Sequence, residues 1–187
     1  GCTGTATVSV TVNPLPSVSA TASPAAICNG ATSVLTASSN ITGTTYSWNT
    51  GGNTASITVT PSATTTYTVT GTSPAGCTGT ATVSVTVNPL PTVSATASST
   101  EICLNGSSIL TASSDITGTT YNWSGSLGAG STKTVSPTGT SSYTVTGTSP
   151  EGCTGTATVS VTVNPLPTVS ATASSTEICL NGSSILT

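Results

Sequence analysis

The 187-residue chain has no His, Arg, Met, Phe or Gln, and it carries a single Lys, Lys133, against four carboxylates. Each shortage removes a class of function. Without His, and with no two acids close in sequence, there are too few titratable groups to build general acid–base or nucleophilic catalysis, so no enzymatic activity is expected. A net charge of -3 offers no basic field to phosphates. Aromatic residues make up 3% of the chain, too few to stack bases, and nucleic acid is excluded as a partner. No apolar run approaches the about 20 residues of a membrane-spanning helix, so the chain is not expected to be embedded in a bilayer. The acids Glu101, Asp115, Glu151 and Glu177 stand apart. A Ca²⁺ site needs about six oxygens with clustered carboxylates, so these acids read as solvated loop charges, and no metal or cofactor is expected. Lys133 reads as an exposed loop charge. With one Lys and no Gln, neither Lys–Asn isopeptide nor Thr–Gln ester crosslinks could recur along the chain.

What is abundant is Ser, Thr, Val and repetition. The sixteen residues GCTGTATVSVTVNPLP start at Gly1, at Gly76 and again at Gly152, and TVSATASSTEICLNGSSILT occupies both 92–111 and 168–187. A spacing of about 75 residues is too long for a solenoid turn and suits a small independent domain. The chain opens and closes partway through a unit and reads as a window on a longer array. Low charge with much Ser and Thr also fits a disordered mucin-like stalk. Alternation opposes that reading: Val83, Val85 and Val87 alternate with Thr82, Ser84 and Thr86, and Tyr67 with Val69, and Ile57 with Val59, keep the same period of two.

Taking 14–88 as one module, strands are predicted near 17–23, 32–38, 44–49, 54–60, 64–72 and 78–87. They are separated by turn signals at Cys28-Asn29-Gly30, Gly51-Gly52-Asn53 and Ser73-Pro74-Ala75-Gly76. Six or seven short strands in a module of this size predict a small antiparallel sandwich. Four domain assignments follow: 1–13 as the last strand of a preceding module, 14–88 and 89–164 as modules, and 165–187 as the first strands of a following one. Trp48 and Trp123 lie on the third strands, and Tyr67 and Tyr143 stand two residues before a core position on the penultimate strands. All four are expected in the core.

This placement resembles the immunoglobulin-like core, with Leu35 and Val69 where a buried cysteine pair would stand. The order ICNG, YSW, ASITVTP, TYTVT and GCTGTATVSVTVNPLP is similar to the Ig-like and PKD-like repeats of very large Bacteroidota cell-surface adhesins exported by type IX secretion. That resemblance covers the whole chain. It implies an all-β array of Ig-like sandwiches set end to end. The acidic Gly-Asp signature of PKD domains is absent.

Two cysteines per repeat, with no Cys-x-x-Cys and no His, point to an oxidising compartment and disulfides rather than zinc. If each module carries the chain from one pole to the other, Cys28 precedes the second strand and sits at the far pole. Cys77 opens the last strand and sits at the near pole, on the order of 30 Å away. Bridged Cα atoms lie within about 7 Å. This favours a bridge between modules, Cys28 with Cys153, leaving Cys2 and Cys77 for upstream modules and Cys103 and Cys179 for downstream ones. Bridges within modules, Cys28 with Cys77 and Cys103 with Cys153, remain the alternative, as do bonds to neighbouring chains.

The joints Pro14-Leu15-Pro16, Pro89-Leu90-Pro91 and Pro165-Leu166-Pro167 have fixed φ angles and little length, so they read as stiff spacers whose leucines plug the joint. The expected function is therefore mechanical: an extracellular, cell-surface stalk or filament whose partners are like modules of the same chain and, through lateral contacts, other copies. The alternative is that the modules themselves bind a glycan or a surface. That would call for recurring exposed aromatic or acidic loop clusters, and the loops instead offer Gly, Ser, Thr and Ala.

Overall fold

A computed structural model describes all 187 residues, with strands and turns and no helix. The chain divides into two compact units. The first comprises Gly1–Pro91 with Ile116–Thr119 and Thr148–Gly155, and the second comprises Thr92–Asp115, Thr120–Gly147 and Thr156–Thr187.

In the first unit the strands are β1 (Val18–Ser23), β2 (Ala26–Cys28), β3 (Ser33–Ser39), β4 (Thr45–Trp48), β5 (Ser56–Val59), β6 (Thr65–Thr72) and β7 (Thr78–Asn88). They form one sheet ordered β1-β3-β5 and another ordered β2-β7-β6-β4. Period-two alternation sets which side chains meet between the sheets. On β3, Ser33, Leu35 and Ala37 are buried while Val34, Thr36 and Ser38 are exposed. On β6, Tyr67 and Val69 are buried. Leu35, Ala37 and Val59 from the first sheet share one core with Ile27, Trp48, Tyr67, Val69 and Val85 from the second. Leu35, Val69 and Val85 are completely buried, and each such side chain contributes roughly 1.5–3 kcal/mol of transfer free energy. The outward hydroxyls satisfy one another across strands, as in Ser19 with Ser38 at 2.7 Å and Thr66 with Ser84 at 2.7 Å.

The second unit repeats the plan with β8 (Val93–Ala97), β9 (Glu101–Cys103), β10 (Ser108–Ser114), β11 (Thr120–Trp123), β12 (Gly128–Ala129), β13 (Thr132–Val135), β14 (Ser141–Thr148) and β15 (Thr154–Asn164). Its sheets are β13-β10-β8 and β12-β11-β14-β15-β9. Its core is Ile102, Leu110, Ala112, Trp123, Val135, Val145 and Val161, with Tyr143 partly buried against it. Both indoles are buried with their polar edge satisfied. Trp48 Nε1 donates to the Thr54 carbonyl at 3.0 Å, and Trp123 Nε1 donates to the Gly130 carbonyl at 3.0 Å.

Four features differ from the sequence expectation. Ala26–Cys28, expected in no strand and with Cys28 opening a turn signal, is a strand parallel to the end of β7, with Ile27 opposite Val87 and Cys28 opposite Asn88. Three residues are too few to register a period. Lys133 is half-buried on β13 opposite Leu110, not in a loop, because the extra residue of this copy is absorbed by the β11–β12 hairpin instead. Residues 1–13 form no strand, although the identical segment at 78–88 does. That segment pairs with β6 and β2, whereas Val8, Val10 and Val12 have no such neighbours and stay exposed. Within 165–187 the pairing amounts to a single bridge, Ala173 with Leu186.

One close approach is sharply testable. A Cβ on Gly79 in β7 would overlap the Pro16 carbonyl oxygen, a backbone atom that cannot swing aside. Gly79→Ala is expected to cost about 1–3 kcal/mol in urea unfolding, the usual cost of overpacking. Gly139→Ala, where a Cβ meets nothing within 4 Å, is expected to be near neutral.

Candidate functional site

The feature that joins successive copies of the repeat is a disulfide. Cys28 is bonded to Cys153, with Cα atoms 5.6 Å apart and 125 residues between them in sequence. Since the repeat is about 75 residues long, the two belong to successive copies.

Each half is held by its own local chemistry. Cys153 follows the turn Ser149-Pro150-Glu151-Gly152. Pro stands where φ near -65° is required, and Gly152 adopts φ +84. The Gly152 amide donates to the Ser149 carbonyl at 2.9 Å, the Ser149 amide to the Cys153 carbonyl at 2.8 Å, and the Cys153 amide to Ser149 Oγ at 3.3 Å. Ser149 and Cys153 are both buried. The same turn precedes Cys77: Gly76 donates to Ser73 at 2.9 Å, Ser73 to Cys77 at 2.9 Å, and Cys77 to Ser73 Oγ at 3.2 Å. Cys28 ends β2, where the Asn29 amide donates to the Asn88 carbonyl at 2.9 Å and the Ala31 amide to the Cys28 carbonyl at 2.9 Å.

The within-module pairings are overturned. Cys28 stands opposite Asn88 at one end of β7, and Cys77 precedes Thr78 at the other, a strand length of roughly 30 Å that no disulfide spans. The same geometry separates Cys103, opposite Asn164, from Cys153, which precedes Thr154. Cys2, Cys77, Cys103 and Cys179 carry free thiols, with Cys77 half-buried and the others exposed.

The linker leucines do not plug anything. Leu15 is 71%, Leu90 48% and Leu166 54% exposed. In the first two segments the second proline takes the buried place instead: Pro16 and Pro91 are buried, while Pro14 and Pro89 are exposed, as are Pro165 and Pro167 of the third. Gly79, which carries no Cβ, is what lets the backbone of Pro16 approach β7.

Just past the first two Pro-Leu-Pro segments the chain is clipped by a side chain that sequence reasoning passed over. The Ser17 amide donates to Asn40 Oδ1 at 2.8 Å, and in the other unit the Thr92 amide donates to Asp115 Oδ1 at 2.8 Å. Asp115 is therefore not a mere solvated charge. The Thr92 amide, with further help from the Thr92 and Ser114 hydroxyls, holds its carboxyl below the usual carboxylate range. The only clue in sequence was the exchange of Asn40 for Asp115 at matched positions, two residues whose shared ability is to accept a backbone proton.

Because the folded value is depressed, the stabilisation from Asp115 is present above the unfolded carboxylate value of about 3.9 and is lost as pH falls through the folded value. Asp115→Asn keeps an acceptor, as Asn40 does. Below about pH 4 the parent should lose melting temperature more steeply than Asp115→Asn, and the two should agree at pH 7. Identical profiles for the two proteins from pH 2 to 7 would refute the clip.

No group of three or more His, Cys, Asp or Glu is placed to hold a metal ion. No helix is long and apolar enough to cross a membrane. No family model matches the chain, and no curated protein matches it. Among solved structures it is similar to murine CEACAM1b, at 15% identity over 80% of this chain and 100% of that one, with a TM-score of 0.41. It is also similar to the fibronectin(III)-like modules of Clostridium thermocellum CbhA, at 14% identity over 78% and 94%, with a TM-score of 0.41. A third is the Ca²⁺-stabilized adhesin of an Antarctic bacterium, which binds ice, at 19% identity and a TM-score of 0.49; 86% of this chain covers 52% of that one. The strand order within each unit, three strands facing a sheet that begins with a short parallel strand, makes this chain an all-β protein of immunoglobulin-like sandwiches.

Proposed function

We propose that the chain is a structural repeat region of a long extracellular stalk or filament, a stiff spacer stapled by disulfides from one repeat to the next. The observation that carries this is the Cys28–Cys153 bond, which crosses from one copy of the repeat into the next. A bond of this kind suits an oxidising, extracellular compartment. In this reading 14–88 and 89–164 are successive modules and the Pro-Leu-Pro segments are the joints. Cell-surface display and type IX export from a member of the Bacteroidota belong to the same reading through the sequence resemblance. The near-identity of the copies then has a mechanical purpose: identical joints repeat one geometry, and copy number sets reach. Lateral contacts between Thr- and Ser-lined sheets of neighbouring chains, weak singly and summed along the length, are part of the proposal.

Electron microscopy of the purified chain and of longer tandem arrays tests the reading. Beads spaced at roughly 35–45 Å along straight segments are expected, from the reach of one long strand plus a short joint. Randomly bent chains in oxidising buffer would sink it.

A further inference from the structure

A step from asparagine to glycine is open to attack by the chain itself, because glycine has no Cβ to shield its main-chain nitrogen from the carboxamide that precedes it. Asn29-Gly30 and Asn105-Gly106 supply one such step in each unit. They stand one position apart in the repeat: Asn29, Gly30 and Ala31 of one copy match Leu104, Asn105 and Gly106 of the next.

The shift matters because both stretches fold into the same turn. The Ala31 amide donates to the Cys28 carbonyl at 2.9 Å, and the Gly106 amide donates to the Cys103 carbonyl at 2.8 Å. The third residue of each turn is left-handed, Gly30 at φ +87 and Asn105 at φ +71, a conformation that turns reserve for glycine or asparagine. Around Cys103 the glycine is therefore the fourth residue, and its amide closes the turn. Around Cys28 the glycine is the third, and its amide has no hydrogen-bond partner. The surroundings differ in the same sense. A Cβ on Gly30 would meet nothing within 4 Å, whereas one on Gly106 would lie 2.9 Å from the Cys103 carbonyl oxygen and 3.2 Å from Ile102 Cβ. Asn29 and Gly30 are both exposed.

We propose that Asn29-Gly30 is a self-modifying site that turns asparagine into aspartate and isoaspartate, with water as the only co-reactant. The Gly30 nitrogen, losing its proton to solvent base, attacks Asn29 Cγ. The new C–N bond closes a succinimide ring, and the carboxamide nitrogen takes up a proton and leaves as ammonia. Water then adds to either ring carbonyl and opens the ring. One opening gives aspartate; the other reroutes the main chain through Cβ and Cγ and gives isoaspartate. At Asn105 the attacking nitrogen must first release the Cys103 carbonyl and leave a packed turn. Asn29 also occupies a consequential place, directly after the bonded Cys28, where its own amide donates to the Asn88 carbonyl at 2.9 Å. Isoaspartate lengthens the main chain at that point, so it loosens the support of the Cys28–Cys153 bond and adds a negative charge beside it.

The test ages the full oxidised chain in mildly alkaline buffer and follows it by peptide mapping with a separation that resolves isoaspartate from aspartate. Asn29 is expected to convert about tenfold faster than Asn105, the rate equivalent of one net hydrogen bond. In the reduced chain in denaturant, where neither turn exists, the two should convert at similar rates. The aged chain should then lose its Cys28–Cys153 bond to dithiothreitol faster than the fresh chain. No conversion at Asn29, or equal or faster conversion at Asn105 in the folded chain, would overturn the site. A tenfold difference that persists in denaturant would overturn its assignment to the turn. Conversion at Asn29 with an unchanged rate of reduction would overturn the loosening of the bond and leave the modification standing.

Discussion

Pulled from its two ends, the oxidised chain should extend about 400 Å less than the same chain in reductant. Tension entering at Gly1 reaches Cys28, crosses the sulfur–sulfur bond to Cys153 and leaves toward Thr187. Residues 29–152 lie in a covalent loop that bears no load. Opening that bond releases 125 residues of separation, at roughly 3.3–3.6 Å each when extended. Chain-entropy reasoning adds a thermodynamic companion: a loop of this length stabilises the folded state by up to about 5 kcal/mol. Cys153→Ser is therefore expected to behave as the reduced parent does, both in single-molecule extension and in denaturant midpoint. Equal contour lengths with and without reductant would show that the bond does not form in solution.

The second large effect concerns the indoles. Trp48→Ala and Trp123→Ala are each expected to cost about 3–5 kcal/mol, since each removes a large buried side chain and leaves a cavity. The sites are 3% and 2% exposed, and truncation also strands the carbonyls of Thr54 and Gly130 without their donor. For domains whose whole stability is about 5–15 kcal/mol, such a loss brings the unit near unfolding. Phe in the same place retains most of the apolar volume and loses the hydrogen bond, so it should cost much less than Ala. The two cores share no residue, so the damage should stay with the unit mutated, and the surviving Trp gives a fluorescence probe of the other. An alanine variant within 1 kcal/mol of the parent by urea titration would mean that the ring is not the keystone of its core.

Much of this architecture could be read before any coordinates. Alternation at Tyr67 and Val69 marked β6, and the same period over Val83, Val85 and Val87 marked β7, because a sheet with one buried face imposes its period on the chain. The pole at which each cysteine sits followed from counting strands, and the structure pairs Cys28 with Cys153. What escaped was everything too short for a period or decided by fit. Ala26–Cys28 is strand because β7 offers an edge to pair with, not because three residues prefer it. In the first Pro-Leu-Pro it is Pro16, whose backbone lies against Gly79, that is buried, and the hydrophobicity of Leu15 pointed the wrong way. Asp115 reads as a surface charge until Thr92 is seen to donate to it.

By itself, then, the sequence determined composition-level chemistry and strand pattern: a chain with almost no charge, a period of two, a repeat of about 75 residues and cysteines set at opposite ends of modules. These are local properties, and local preferences suffice to express them. Tertiary structure decided which strand edges pair, which prolines are buried, which polar groups clip the chain and which thiols meet. Those outcomes depend on distances between residues far apart in sequence. The Cys28–Cys153 bond belongs to both: its direction was set by strand parity, and its formation required the two Cα atoms to come within 5.6 Å.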